Sequence, residues 1–272
     1  MIEVTSTANP RIKEVRSLLN RKGRDETGLA FIEGLRIAIE AFELGIDFKW
    51  LIFCDALLTS QAGRKLVEQF SKEYPDKILA VSEHVFRYFS EKDGPQGLAA
   101  VIQQRWFELD EIDLEGMGII IALDEIADPG NLGTILRTAD SAGARIVILL
   151  DNCTDPYDPT SIRASMGALF NIRLVKCSLN DFILWKSHEQ IHTVGAAGAA
   201  AADYHSAIYP KQMILLMGSE RQGLSDQEMQ ACDQLVSIPM MGRSDSLNVA
   251  MATGIILYEI LNQHREHGGR KE

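Results

Sequence analysis

Ile238-Pro239-Met240-Met241-Gly242-Arg243-Ser244-Asp245-Ser246-Leu247-Asn248-Val249-Ala250-Met251-Ala252 joins an apolar strand end to a polar, glycine-containing turn and then to an apolar helix. Ser or Asn at a helix start caps free backbone N–H groups, so Ser246 and Asn248 mark that start. Backbone N–H groups exposed at such a point also receive polar ligands. Two earlier stretches share the strand-turn-helix form. One runs Ala127-Asp128-Pro129-Gly130-Asn131-Leu132-Gly133-Thr134-Ile135-Leu136-Arg137-Thr138-Ala139-Asp140, the other Leu215-Leu216-Met217-Gly218-Ser219-Glu220-Arg221-Gln222-Gly223-Leu224-Ser225.

Outward from these, the chain alternates strand and helix. Near-continuous apolar runs at 119–123, 146–150, 191–196, 213–217 and 235–238 predict strands covered on both faces, as in a parallel sheet. Helices are expected near 132–142, 160–168, 179–187 and 225–232, with a long final one over 247–263. Before residue 104 the pattern is again α/β. Asn9-Pro10 opens a helix carrying Ile12, Val15, Leu18 and Leu19, and Phe31-Ile32 is a short strand. A helix follows from Leu35 to the Gly45 stop, then a strand at 50–53, a helix at 63–70 and strands at 78–81 and 98–102. Such alternation argues for a small sandwiched α/β domain. The boundary falls where Gln103-Gln104-Arg105 gives way to Trp106-Phe107 and an acidic run, dividing the chain into 1–107, a linker at 108–117, and 118–272.

Composition narrows the function. The 272 residues are 46% hydrophobic and 24% charged, ordinary for a globular protein, and roughly three quarters of the unfolded surface of such a chain can be buried. No apolar run approaches the ~20 residues that cross a bilayer. Met1-Ile2-Glu3-Val4 lacks the basic-then-apolar pattern of a secretory signal. Cys54, Cys153, Cys177 and Cys232 are far apart with no Cys-x-x-Cys pair, which reads as reduced and cytoplasmic rather than as a disulfide framework or metal site. The six histidines show no metal-ligand spacing. The net charge of −11 lies wholly after residue 107: residues 1–107 carry 15 Lys+Arg and 15 Asp+Glu, residues 108–272 carry 12 and 23. Between residues 11 and 24, Arg11, Lys13, Arg16, Arg21, Lys22 and Arg24 face only Glu14. Screening over about 8–10 Å lets a local basic patch hold phosphates on an acidic protein; a solvated helix face is the equal alternative.

In this order, the three strand-turn-helix motifs resemble the signature motifs of the SpoU (TrmH-type) RNA ribose 2′-O-methyltransferases of the SPOUT superfamily. The resemblance covers most of the chain and is strongest from Asp128 onward. It implies a catalytic domain with a mostly parallel sheet and a C-terminal trefoil knot, a typically homodimeric assembly, and transfer of the S-adenosylmethionine methyl group to a ribose 2′-hydroxyl. By the same resemblance Arg137 is catalytic, with Asn131, Glu220, Ser246 and Asn248 as further site residues. Leu216, Gly218, Ile238 and Leu247 would hold the cofactor through backbone groups, joined less firmly by Thr193 and Gly195. Main-chain N–H and C=O supply the donor and acceptor that an adenine edge needs. Before Gln104, the segments Asn9, Arg11, Ile12, Lys13 and Phe31-Ile32-Glu33-Gly34-Leu35-Arg36 look like the ribosomal-protein-like RNA-binding domain often fused to SpoU domains. That resemblance places Arg36 with the basic run as an RNA contact.

The residues on their own leave alternatives open. Arg137, off the apolar stripe of its helix, could be only a solvated arginine paired with Asp140. Arginine stays protonated below about pH 12, so a phosphate anchor or stabiliser of a developing alkoxide suits it better than a base. Ile238 and Leu247 also read as core. Arg163-Ala164-Ser165-Met166-Gly167-Ala168-Leu169-Phe170 matches a mainly structural family segment, with Arg163 and Ser165 as candidate RNA or dimer contacts. Gly195-Ala196-Ala197-Gly198 reads as a close-packed turn, and no Gly-x-Gly-x-x-Gly follows the strand at 119–123, which disfavours an NAD-type oxidoreductase. Ribosomal RNA is the first substrate expected, tRNA the second. A non-catalytic RNA-binding assembly factor is the competing class, against which the joint presence of Asn131, Arg137, Glu220, Ser246 and Asn248 argues.

Overall fold

A computed structural model describes residues 3–114, 116 and 118–268. Met1, Ile2, Glu115, Met117 and residues 269–272 lie outside the described residues, and with them parts of the 108–117 linker and the extreme ends of the chain. The elements begin β1 (Glu3–Val4), α1 (Pro10–Ser17), α2 (Arg21–Thr27), β2 (Leu29–Glu33), α3 (Leu35–Glu43), β3 (Phe48–Phe53), α4 (Gln61–Glu73), β4 (Ile78–Val81), α5 (Glu83–Phe89) and β5 (Leu98–Gln103). They continue with β6 (Ile119–Asp124), α6 (Pro129–Ser141), β7 (Ile146–Leu150), α7 (Pro159–Ser165), β8 (Arg173–Cys177), α8 (Leu179–His188), β9 (Thr193–Ala196), β10 (Ala202–Asp203), β11 (Met213–Met217), α9 (Asp226–Ala231), β12 (Gln234–Ser237) and α10 (Val249–Gly268). Packing divides the chain into two compact units, Met1–Gln104 with Asp155–Phe170, and Arg105–Thr154 with Asn171–Glu272.

The first unit is built on a five-stranded sheet of order β1-β4-β3-β5-β2, parallel from β1 to β3 and antiparallel on to β2. Ile12, Val15 and Leu18 pack with Val85, Phe86 and Phe89 of α5 against Phe31, Ile52, Leu79 and Val101 of the sheet. Phe42, Phe48 and Phe70 form a separate aromatic group, with Phe48 and Phe70 5.4 Å apart. Apolar spacing points to most of these elements but misses α2, and the cause is visible. Its sequence RKGRDET has no apolar stripe, and its one buried side chain is Arg24.

Arg24 corrects an expectation. Instead of meeting RNA it is 1% exposed, with Nε 2.5 Å from Asp155, one terminal nitrogen 3.2 Å from Asp158 and the other donating to the Leu18 carbonyl. A guanidinium can be buried when carboxylates and hydrogen bonds replace its water. Those carboxylates come from the Asp155–Phe170 segment, which was expected among the later elements and packs within the first unit. Arg163 there meets Glu91 at 3.3 Å, and Ser165 is buried with its hydroxyl on the Ile162 carbonyl, so Ser165 presents nothing to RNA.

The second unit carries a seven-stranded sheet of order β10-β12-β9-β11-β6-β7-β8, parallel at every pairing. Its central strands β6, β7 and β11 are buried at every position, which is why they read as continuous apolar runs. β8 escaped notice because exposed Arg173 and Lys176 interrupt an edge strand. α6 begins at Pro129, earlier than expected, and its cap is Asp128, whose carboxylate accepts from the Asn131 N–H at 2.8 Å. That frees the Asn131 side chain for other partners. At the start of α10, Asn248 caps as expected: its Oδ1 accepts from Ala250 N at 2.9 Å and Met251 N at 3.3 Å.

Cutting one partner from a buried charge cluster leaves the rest uncompensated, at about 3–5 kcal/mol. Arg24→Met should therefore lower the urea-unfolding free energy by about that amount. A loss below about 1 kcal/mol would mean the cluster is no better than an exposed ion pair.

Candidate active site

Because the strands are parallel, the carboxyl ends of β9, β11 and β12 open on one edge, where ligands of such sheets bind. A crevice of about 290 Å³ lies there. One wall is Ala196 at the end of β9 with Ala197 and Gly198 after it, another the Gly218–Gly223 turn after β11, and a third Ile238 and Met240 with Asp245, Ser246 and Leu247 ahead of α10. Val236, Val249, Ala252 and Ile256 make its apolar floor. Gly218, Glu220, Ile238, Ser246 and Leu247 are thus brought together from two separated motifs.

The glycines are required by close approach. Ser219 and Gly223 exchange backbone hydrogen bonds of 3.0 and 3.1 Å, closing a tight turn with Gly223 at φ +70°. A Cβ on Gly218 would overlap the Gly223 carbonyl, so no other residue fits at the end of β11. Gly195 serves packing instead: a Cβ there would stand 2.6 Å from Cys232 Sγ and 2.7 Å from Leu224 Cδ1.

The three motifs meet through side chains. Asn248 Nδ2 donates to Asn131 Oδ1 at 2.9 Å, and Asn131 Nδ2 donates to Glu220 Oε1 at 2.7 Å. Arg137 lies six residues beyond Asn131 on α6, exposed and outside the crevice lining. Its suggested partner Asp140 is taken by Arg145. Among the described residues the Arg137 guanidinium has no hydrogen bond or ion pair; its carbonyl accepts from the Ser141 hydroxyl at 2.8 Å.

Several expected cofactor residues stand elsewhere. Thr193 is at the amino end of β9, fully buried, with its N–H donating to Asp233 at 2.8 Å and its carbonyl accepting from the Asp233 N–H. Backbone groups so engaged, at the far end of the strand, cannot meet a ligand in the crevice. Leu216 is buried one residue short of the lining, where Met217 takes its place. In the other direction, Ala196, Ala197 and Gly198 line the crevice although the sequence read only a close-packed turn. The signal available was small residues directly after a parallel strand.

In the first unit, Arg11 lies over the Trp50 ring at 4.5 Å and Arg16 over Tyr88 at 5.4 Å. Arg21 and Lys22 make loose exposed pairs one helical turn on, with Asp25 at 3.7 Å and Glu26 at 3.8 Å. Lys13 and Arg36 are exposed and without partners among the described residues. No group of three or more His, Cys, Asp or Glu among the described residues is placed to hold a metal, and no described helix is long and apolar enough to cross a membrane.

Residues 118–258 match the SpoU rRNA Methylase family and residues 9–100 the MRM3-like substrate binding domain. The 23S rRNA (uridine(2479)-2'-O)-methyltransferase of Streptomyces viridochromogenes is 30% identical over 95% of this chain and 91% of its own. The 23S rRNA (guanosine(2553)-2'-O)-methyltransferase of Bacillus subtilis is 28% identical over 96% and 99%. The crystal structure of an AdoMet-bound rRNA methyltransferase from Sinorhizobium meliloti superposes with a TM-score of 0.88 at 37% identity, covering 97% of this chain and 98% of that one. This chain belongs to the SpoU rRNA methylase family.

Asp124 ends β6 beside the buried Glu228 of α9. Glu228 Oε2 accepts from the Ser225 N–H and hydroxyl at 2.6 and 2.7 Å, while its Oε1 is buried without a hydrogen bond. Burial, then the nearby charges of Glu228, Glu125 and Asp151, push the Asp124 carboxyl up to about 7. A carboxyl raised above its unfolded value binds its proton more tightly when folded, so stability falls as pH rises from about 4 to about 7. Asp124→Asn should accordingly melt higher than wild type at pH 8, with the gap shrinking toward pH 4. An equal gap at both values would show that charge at Asp124 is not the cause.

Proposed function

We propose that this chain transfers the methyl group of S-adenosylmethionine to a ribose 2′-hydroxyl of ribosomal RNA, 23S rRNA in the first instance. The observation that carries this reading is the joining of Asn131, Glu220 and Asn248, one from each motif, beside a crevice formed by strand-end loops. The crevice suits the donor. Its volume of about 290 Å³ is close to the lower end of the roughly 300–1,000 Å³ usual for small-molecule sites. Gly218, Ile238 and Leu247 line it, and a Cβ at Gly198 would meet open space. When bound, S-adenosylmethionine supplies an electrophilic methyl group on a sulfonium leaving group.

The chain's own residues position and stabilise. Gly218, Ile238 and Leu247 hold the donor through main-chain groups over the floor of Val236, Val249 and Ile256. Arg137, permanently cationic, anchors an RNA phosphate and stabilises negative charge developing on the ribose oxygen. Its exposure outside the crevice supports a site completed in a homodimer, whose seam we place on α10, where Met251 and Tyr258 are 59% and 45% exposed. We assign RNA binding to the ribosomal-protein-like domain of residues 1–107 together with the 155–170 segment that packs in the same unit and, after a linker at 108–117, methyl transfer to the rest of 118–272. The trefoil knot belongs to the last. In its support, β12 pairs between β9 and β10, both earlier in the chain, so the backbone returns into a sheet already laid down. We place the protein in the cytoplasm, where the ribosomal RNA is.

Arg137→Ala should lower methylation of rRNA by about 100-fold or more, on the scale of removing one transition-state donor, while calorimetry shows S-adenosylmethionine still bound. Turnover equal to wild type would refute the assignment. Lys13→Ala should weaken RNA binding across sequences and reduce the slope of log affinity against log salt by about one. An unchanged slope removes α1 from the RNA footprint.

A further inference from the structure

The hydrogen bonds joining the three motifs have a direction, and that direction is set by backbone. The Ala250 and Met251 N–H groups can only donate, so the atom of Asn248 that faces them is its oxygen. The other end of that amide is then NH₂, and it donates to Asn131. Asn131 must present its oxygen to Asn248 and its own NH₂ to Glu220. From the amino end of α10, through two amides, polarity reaches Oε1 of Glu220 as a donated N–H. The positive end of the α10 macrodipole adds to it. Among the described residues Oε2 has no hydrogen-bond partner, and Glu220 lines the crevice.

We propose that Glu220 is the proton acceptor of the methyl transfer, with Oε2 receiving the hydrogen of the ribose 2′-hydroxyl, and that Asn131 and Asn248 are the positioning residues that keep it an acceptor. The assignment rests on the reading of the site given above. It divides the chemistry by what each side chain can do. Arg137 cannot take a proton near neutral pH; a carboxylate can. Ser246 and Asp245 also line the crevice, but no hydrogen bond fixes either side chain among the described residues, whereas Glu220 is held. The balance closes. A lone pair of the ribose oxygen forms the new bond to the methyl carbon, the carbon–sulfur pair stays on sulfur, and the proton leaves oxygen for Glu220. A sulfonium and a carboxylate become a thioether and a carboxylic acid.

Glu220→Gln keeps an oxygen for Asn131 and replaces the accepting atom by NH₂. In the full-length protein we expect kcat to fall by about 100-fold or more, the usual worth of a positioned base, with the RNA KM and the calorimetric affinity for S-adenosylmethionine within about two-fold of wild type. Formate added to Glu220→Ala should restore part of the lost turnover, because a small carboxylate can enter the vacated space; a bracing role would not respond. Asn131→Asp sets two carboxylates against each other, and sharing one proton moves the rising limb of the pH–rate profile to higher pH. Turnover of Glu220→Gln within about three-fold of wild type overturns the assignment. Loss of S-adenosylmethionine binding in that variant does so too, making Glu220 a donor-holding residue, as does turnover lost in Asp245→Asn but kept in Glu220→Gln. Wild-type protein that binds no S-adenosylmethionine, or leaves rRNA unmethylated, overturns the underlying reading instead.

Discussion

Seven strands running one way end on the same side, and the chemistry of this protein depends on that constraint. β11 lies between β6 and β9 in parallel register, with Met217 opposite Leu123 and Leu216 opposite Gly195. The residues that follow lie side by side at that end of the sheet. Asp124, Gly218 and Ala197 are far apart in sequence, yet the ladder delivers them to neighbouring places with no side-chain interaction needed. A single antiparallel strand among β9, β11 and β12 would send one of the loops to the opposite edge, and the crevice would lose a wall.

What the ladder places, side-chain polarity then sharpens. Asn248 serves two purposes: its oxygen ends the free N–H groups of α10, and its nitrogen is thereby committed to Asn131. Because Asp128 caps α6, the Asn131 side chain is free to pass that commitment on to Glu220. The arrangement explains why amides stand at both joints. A carboxylate at either would need a proton to continue the chain, and a hydroxyl could rotate and reverse it.

The three motifs were legible in the sequence because turns need particular residues: Gly218 and Gly223 for close backbone approach, Asn248 for a cap. The buried parallel strands were legible for the same kind of reason, since both faces demand apolar side chains. Where burial is achieved by charge, or exposure by an edge, pattern reading gave no purchase. α2 is a helix whose buried residue is an arginine, and β8 is a strand with Arg173 and Lys176 in solvent. The basic run at 11–24 mixed residues with different fates: Lys13 reaches solvent, Arg11 and Arg16 lie on aromatic rings, and Arg24 is inside. Thr193 was misplaced for a simpler reason. A strand's residues share its sequence neighbourhood, but only those at the carboxyl end share the ligand.

The setting of Arg24 bears on how the molecule can be taken apart. Its two carboxylate partners arrive from more than a hundred residues downstream, in a segment bracketed on both sides by elements of the other unit. A fragment cut at the apparent border near residue 107 would carry the cation inward without its counter-charges. The amino-terminal piece is therefore complete as a folding entity only when residues 155–170 come with it, and dissection of this enzyme has to follow spatial rather than linear seams.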